Sequence, residues 1–117
     1  MIKKTVKYND FNGNQCEEVL YFHMSKPEMA KLEFGKKEGL SNYIKEAVES
    51  GDNAGLLEVF NQVILGSYGV KSEDGKRFTK TPALKEAFEQ SPAYDAIFME
   101  IATEPAKAEA FIKGIQG

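Results

Sequence analysis

The spacing of apolar residues changes near residue 24, and that change constrains the fold more than any other feature of the chain. In Ile2-Lys3-Lys4-Thr5-Val6-Lys7-Tyr8, the residues Ile2, Val6 and Tyr8 share one face and Lys3, Thr5 and Lys7 the other. That period of two belongs to a half-buried strand. From residue 25 onward apolar residues return every three or four positions, the period of a helix. Strands with one greasy face followed by short amphipathic helices predict an α+β domain, mostly helical, with helix laid on the sheet.

The strand region is a hairpin over residues 1–24. Asn9-Asp10-Phe11-Asn12-Gly13-Asn14 supplies turn formers, with Asn12-Gly13 the pair best suited to positive φ. Val19-Leu20-Tyr21-Phe22-His23-Met24 returns as a β-rich run, apolar on both faces near its end. Lys4 interrupts the apolar face of the first strand, which marks an edge that resists pairing with another chain.

Helices occupy residues 25–66. Ser25 and Glu28 fit a capping box with Met24 as staple residue, and Met29, Leu32 and Phe34 form a stripe expected to stop at Gly35. After Gly39, the residues Leu40, Tyr43, Ile44, Ala47 and Val48 line one face until Gly51. Asp52 or Asn53 then caps the most apolar helix of the chain. Leu56, Leu57, Phe60, Val63 and Ile64 are expected to face inward there, and Gly66 to end it.

Residues 67–81 form a turn-rich loop or a two-stranded excursion around Ser72-Glu73-Asp74-Gly75. Residues 82–117 are divided by Thr81-Pro82, Ser91-Pro92 and Thr103-Glu104-Pro105, each read as a cap with proline opening a helix. Their inward stripes are Leu84, Ala87 and Phe88; Tyr94, Ile97, Phe98, Ile101 and Ala102; and Ala108, Phe111, Ile112 and Ile115. The expected total is five or six short helices. No linker or shift in composition divides the chain, so residues 1–117 are read as one domain.

Composition narrows the function classes. A net charge of −3 argues against nucleic-acid binding by bulk charge. The longest aliphatic run is Val63-Ile64-Leu65, far short of a membrane span. No apolar stretch follows Met1, and Cys16 is the only cysteine, which sets the expectation of a cytosolic protein.

Catalytic residue sets are scarce. His23 is the only histidine, sits in a strand, and reads as a packing residue; Cys16 has no CxxC partner. Asp10, Asn12 and Asn14 match the first ligands of a calcium loop, but Gln15 and Tyr21 stand where glycine and a bidentate glutamate are needed. Gly66-Ser67-Tyr68-Gly69 is too short for a dinucleotide fingerprint, and Glu17 and Glu18 alternate faces. Neither a catalytic set, a cofactor nor a metal is therefore expected. Lys71, Lys76, Arg77 and Lys80, with Tyr68 and Phe78 nearby, read first as a solvated basic loop, with phosphates or an acidic protein surface, including the C-terminal helices of a second copy, as the alternatives. Aromatic residues that short helices leave uncovered point instead to a binding protein.

The last fifty residues carry a more specific pattern. Gly66-Ser67-Tyr68-Gly69-Val70-Lys71-Ser72, Asp74-Gly75-Lys76-Arg77-Phe78, Ala87-Phe88, Ser91-Pro92-Ala93-Tyr94, Ile97-Phe98-Met99-Glu100-Ile101 and Ala110-Phe111-Ile112-Lys113-Gly114-Ile115 occur in order. Together they resemble the tail assembly chaperones of long-tailed, non-contractile (siphovirus-type) phages. The resemblance implies a protein of the host cytoplasm that binds the tape-measure protein, with the major tail-tube protein as a second candidate client. It implies that the client stays soluble during tail assembly and that the chaperone is missing from the mature virion. The alternative is a minor structural component of the tail. The residues expected at the client surface are Tyr68, Phe78, Tyr94 and Phe98, with self-association a further expectation and neither nucleic acid nor membrane a partner.

Overall fold

The computed structural model describes residues 1–34 and 40–116. Strands β1 (Ile2–Asn9) and β2 (Gln15–Phe22) pair antiparallel with Ile2 opposite Phe22 and Asn9 opposite Gln15. The turn between them closes on the Asp10 carboxylate, which accepts from the Asn12 and Asn14 N–H groups at 2.9 Å each. Gly13 there adopts φ +82°, a conformation that glycine takes without steric penalty.

Residues 67–81 settle as the two-stranded excursion. Strands β3 (Tyr68–Lys71) and β4 (Phe78–Thr79) extend the hairpin into one antiparallel sheet of order β1-β2-β3-β4. Tyr68 pairs with Phe22 and Gly69 with Tyr21, so the pleat sends Tyr68 to the helical side and Gly69 to the other.

Six helices follow among the described residues: α1 (Lys26–Phe34), α2 (Leu40–Ser50), α3 (Asn53–Ser67), α4 (Pro82–Glu89), α5 (Pro92–Thr103) and α6 (Pro105–Ile115). The fold is α+β, as the change of period predicts. The capping box of α1 forms in both directions, Ser25 N–H to Glu28 Oε1 at 3.0 Å and Glu28 N–H to Ser25 Oγ at 3.3 Å. The Phe34 side chain and the expected stop at Gly35 lie outside the described residues, as does Gly39. Asp52 rather than Asn53 caps α3, accepting from Gly55 N–H at 3.1 Å.

Several expectations need correction. Gly66 does not end α3, which runs on to Ser67; a Cβ at position 66 would stand 2.9 Å from Met24 Cε, so the glycine admits the Met24 side chain. Of the three cap-and-proline pairs, only Thr81 caps with its side chain, accepting from Leu84 N–H at 3.1 Å. Ser91 follows Gln90, the C-cap of α4, and its hydroxyl donates backward to the Phe88 carbonyl at 2.7 Å. Thr103 likewise donates to Met99 O at 2.7 Å, leaving proline to start α5 and α6. Val48, Leu57 and Ala87 lie on solvent rather than in the core, because each occupies the margin of a stripe wider than its neighbours can cover.

The core lies between the sheet and the helices. Phe22, Leu40, Ile64, Ile97 and Ile115 are essentially without exposed surface. Lys4 does mark an edge strand, yet it faces α5, where its ammonium meets Glu100 Oε1 at 3.0 Å. The segment after β2 is tied to two helix ends, His23 N–H to Ser67 O and Met24 N–H to Ile115 O, both at 2.8 Å.

Candidate interaction surface

Aromatic residues from five elements meet at one side of the core. Phe22 on β2 sits edge-on to Phe111 at 5.2 Å, Phe88 at 5.9 Å and Tyr68 at 6.0 Å. Tyr68 and Phe88 stack face to face, 4.1 Å apart and 11° from parallel. The row continues along α5 through Tyr94, perpendicular to Phe88 at 5.5 Å, and Phe98, 5.8 Å from Tyr94. Phe22, Phe88 and Phe111 are buried; Tyr68, Tyr94 and Phe98 are half-buried and form the outer margin of the row.

The Tyr94 hydroxyl donates to Asn61 Oδ1 on α3, which fixes the ring between the two helices. Burial raises the Tyr94 hydroxyl pKa, with Glu89 and Asp95 adding to it, and burial also raises that of Tyr68. Asn61 carried no signal in the sequence, since a lone asparagine on an apolar helix looks like any solvated position. Leu57, one turn earlier on the same face of α3, is exposed, as are Val70 beyond Tyr68 and Met99 on α5.

Three of the four expected surface residues are therefore brought together: Tyr68, Tyr94 and Phe98. Phe78 is not with them. It pairs with Lys71 on the opposite face of the sheet and lies across Gly69, edge-on to His23 at 5.9 Å.

The basic patch is smaller than its sequence suggests. Lys80 turns inward, donating to both Glu28 oxygens at 2.9 and 2.7 Å and to Gly66 O at 2.8 Å. Burial works against the Glu28 charge, but Lys80 and the Ser25 N–H outweigh it and hold the carboxyl below its usual value. Lys71 donates to Ser72 O at 3.1 Å and lies over the Tyr21 ring at 5.7 Å. Lys76 and Arg77 remain exposed on a loop built around Asp74, which accepts from the Ser72 hydroxyl at 2.6 Å and the Lys76 N–H at 3.0 Å.

Of the two reactive side chains, Cys16 lies near the start of β2 and His23 just after its end, roughly 23 Å apart at the rise of an extended strand. Cys16 Sγ donates to Asp10 Oδ2 at 3.6 Å; burial and then the Asp10 charge raise its pKa, which disfavours the nucleophilic thiolate. Burial, Met1 and Lys80 lower the pKa of His23. Among the described residues, no group of three or more His, Cys, Asp or Glu side chains is placed to hold a metal. No helix among them is long and apolar enough to cross a membrane.

Taken together, the architecture is that of a small α+β domain with an aromatic row half open on its helical side. The family model described as phage tail assembly chaperone matches residues 1–116, and the chain belongs to that family. The match extends through the hairpin and first helices as well as the motif-bearing last fifty residues. No curated protein and no solved structure shows a significant match to the chain.

Proposed function

We propose that this protein binds the tape-measure protein of its phage in the host cytoplasm, keeps it soluble until the tail tube forms around it, and is released before the virion is complete. The observation that carries this reading is family membership across residues 1–116. It acts by binding, without chemical turnover. The tail-tube protein is a second client on the same reading.

A long amphipathic helical client needs an apolar strip with a polar rim. The margin formed by Tyr68, Tyr94 and Phe98 has that character, with Leu57 close to the Asn61–Tyr94 contact. Two hydroxyls within the row supply polar points without breaking its apolar area. Such a strip on one small domain is weak alone, and several copies along one client gain by multivalency.

The test is co-expression of this chain with the tape-measure protein encoded by the same phage. The expected result is tape-measure protein in the soluble fraction, co-purifying with the chain, and mass spectra of purified particles that lack it. A client that remains insoluble overturns the reading, and abundant copies in purified particles favour the structural tail component instead.

A further inference from the structure

The helices cover one face of the sheet, and the other face is where Phe78 lies. Tyr21, Lys71 and Phe78 share that outer face, with Lys3 directly across from Tyr21. Beside them is a shallow cavity of about 350 Å³, lined by His23, Lys71, Lys76, Arg77 and Phe78 among others. The charge balance of this face is positive: Lys3, Lys7, Lys71, Lys76 and Arg77 against Glu17, Glu73 and Asp74. Of those acids, Glu17 stands opposite Lys7 in the hairpin register, and Asp74 is engaged within its own loop.

We propose that this outer sheet face docks an extended acidic segment of a partner polypeptide, its carboxylates meeting Lys76, Arg77 and the Lys71 ammonium that lies over the Tyr21 ring, and an apolar side chain entering the cavity beside Phe78. Charge complementarity argues for that occupant. Residues 82–117 hold three lysines and six acids, so an acidic segment is repelled by the helical side and steered to the sheet. A cavity of this size takes one or two side chains of an extended chain. Lys85, Lys107 and Lys113 interrupt the acids of α4 to α6, so a second copy presented through those helices fits less well. Nucleic acid needs more neutralising cations than this acidic chain presents. The proposal does not rest on the tape-measure reading, because it concerns the face opposite the aromatic row.

Lys76 and Arg77 are suitable probes, since neither side chain has a hydrogen bond or ion pair among the described residues. The experiment is fluorescence anisotropy with a labelled peptide of about ten alternating glutamate and phenylalanine residues, titrated with the full chain. The wild type is expected to bind, and raising salt from about 50 to about 300 mM to weaken binding. The double variant Lys76→Gln, Arg77→Gln is expected to bind roughly five- to tenfold more weakly, the loss of two exposed charge contacts, with an unchanged melting temperature. The double variant Lys85→Gln, Lys113→Gln on the helical side retains full binding. Any of three results overturns the proposal: binding unaffected by the first double variant, tighter binding of a thymidine oligonucleotide than of the peptide, or a concentration-dependent dimer that the same variant abolishes.

Discussion

Substituting Gly69 with alanine tests how the outer sheet face is built. The new Cβ meets the Phe78 ring at Cε1 and stands 2.8 Å from Thr79 O. The Phe78 ring is packed edge-on to His23 and the carbonyl belongs to β4, which pairs with β3, so neither contact relaxes without loss. Overpacking of this kind costs about 1–3 kcal/mol. For 117 residues the entropy of unfolding is about 0.25 kcal/mol/K, so each kcal/mol lowers the melting temperature by about 4 °C. Gly69→Ala should therefore melt about 4–12 °C below wild type by circular dichroism, with a changed near-ultraviolet signal from Tyr21 and Phe78. Gly66→Ala is the control. Its Cβ meets only the end of the flexible Met24 side chain at 2.9 Å, and the gain in helix propensity, about 1 kcal/mol, offsets that contact. Equal melting temperatures for Gly69→Ala and wild type, or an equal loss in both variants, would refute the argument from close approach.

Other expectations follow from individual contacts. Phe22→Ala removes the ring on which Tyr68, Phe88 and Phe111 converge and should lower stability in urea unfolding by about 3–5 kcal/mol. His23 has a folded pKa below its ordinary value of 6.5, so the unfolded chain binds its proton first; stability should fall as pH drops below about 6.5, and His23→Gln should remove that part of the dependence. Glu28, also depressed, contributes stability above its usual 4.5 that is lost on further acidification, and Lys80→Met should abolish this lower step. The hydrogen bond from Tyr8 to Glu18 raises the tyrosine pKa to about 12, so alkaline ultraviolet titration should show Tyr8 ionising late along with the burial-raised Tyr68 and Tyr94, and Glu18→Gln should move one of these late ionisations back toward 10.

Much of the fold was legible because local rules and tertiary packing agree. Alternation in residues 2–8, the reciprocal Ser25–Glu28 cap, Gly13 in the turn and Gly51 after α2 all follow from backbone geometry that the residue types impose. What local rules missed depends on partners distant in sequence. Gly66 reads as a helix stop, yet it is there for Met24. Lys80 reads as part of a solvated basic loop, yet Glu28, 52 residues earlier, draws it inward. Phe78 reads as a companion of Tyr68, but the pairing of β3 with β4 puts them on opposite faces, which only the register reveals. The hydroxyl of Ser91 had two uses open to it, and the nearby end of α4 took it.

The measurement that most directly tests chaperone action is aggregation of the tape-measure protein diluted from denaturant, followed by light scattering with and without this chain and without nucleotide. Near-stoichiometric chain should suppress the scattering, and Tyr94→Ser with Phe98→Ser, checked for retained folding, should suppress it markedly less. Scattering that rises identically with and without the chain would contradict the account.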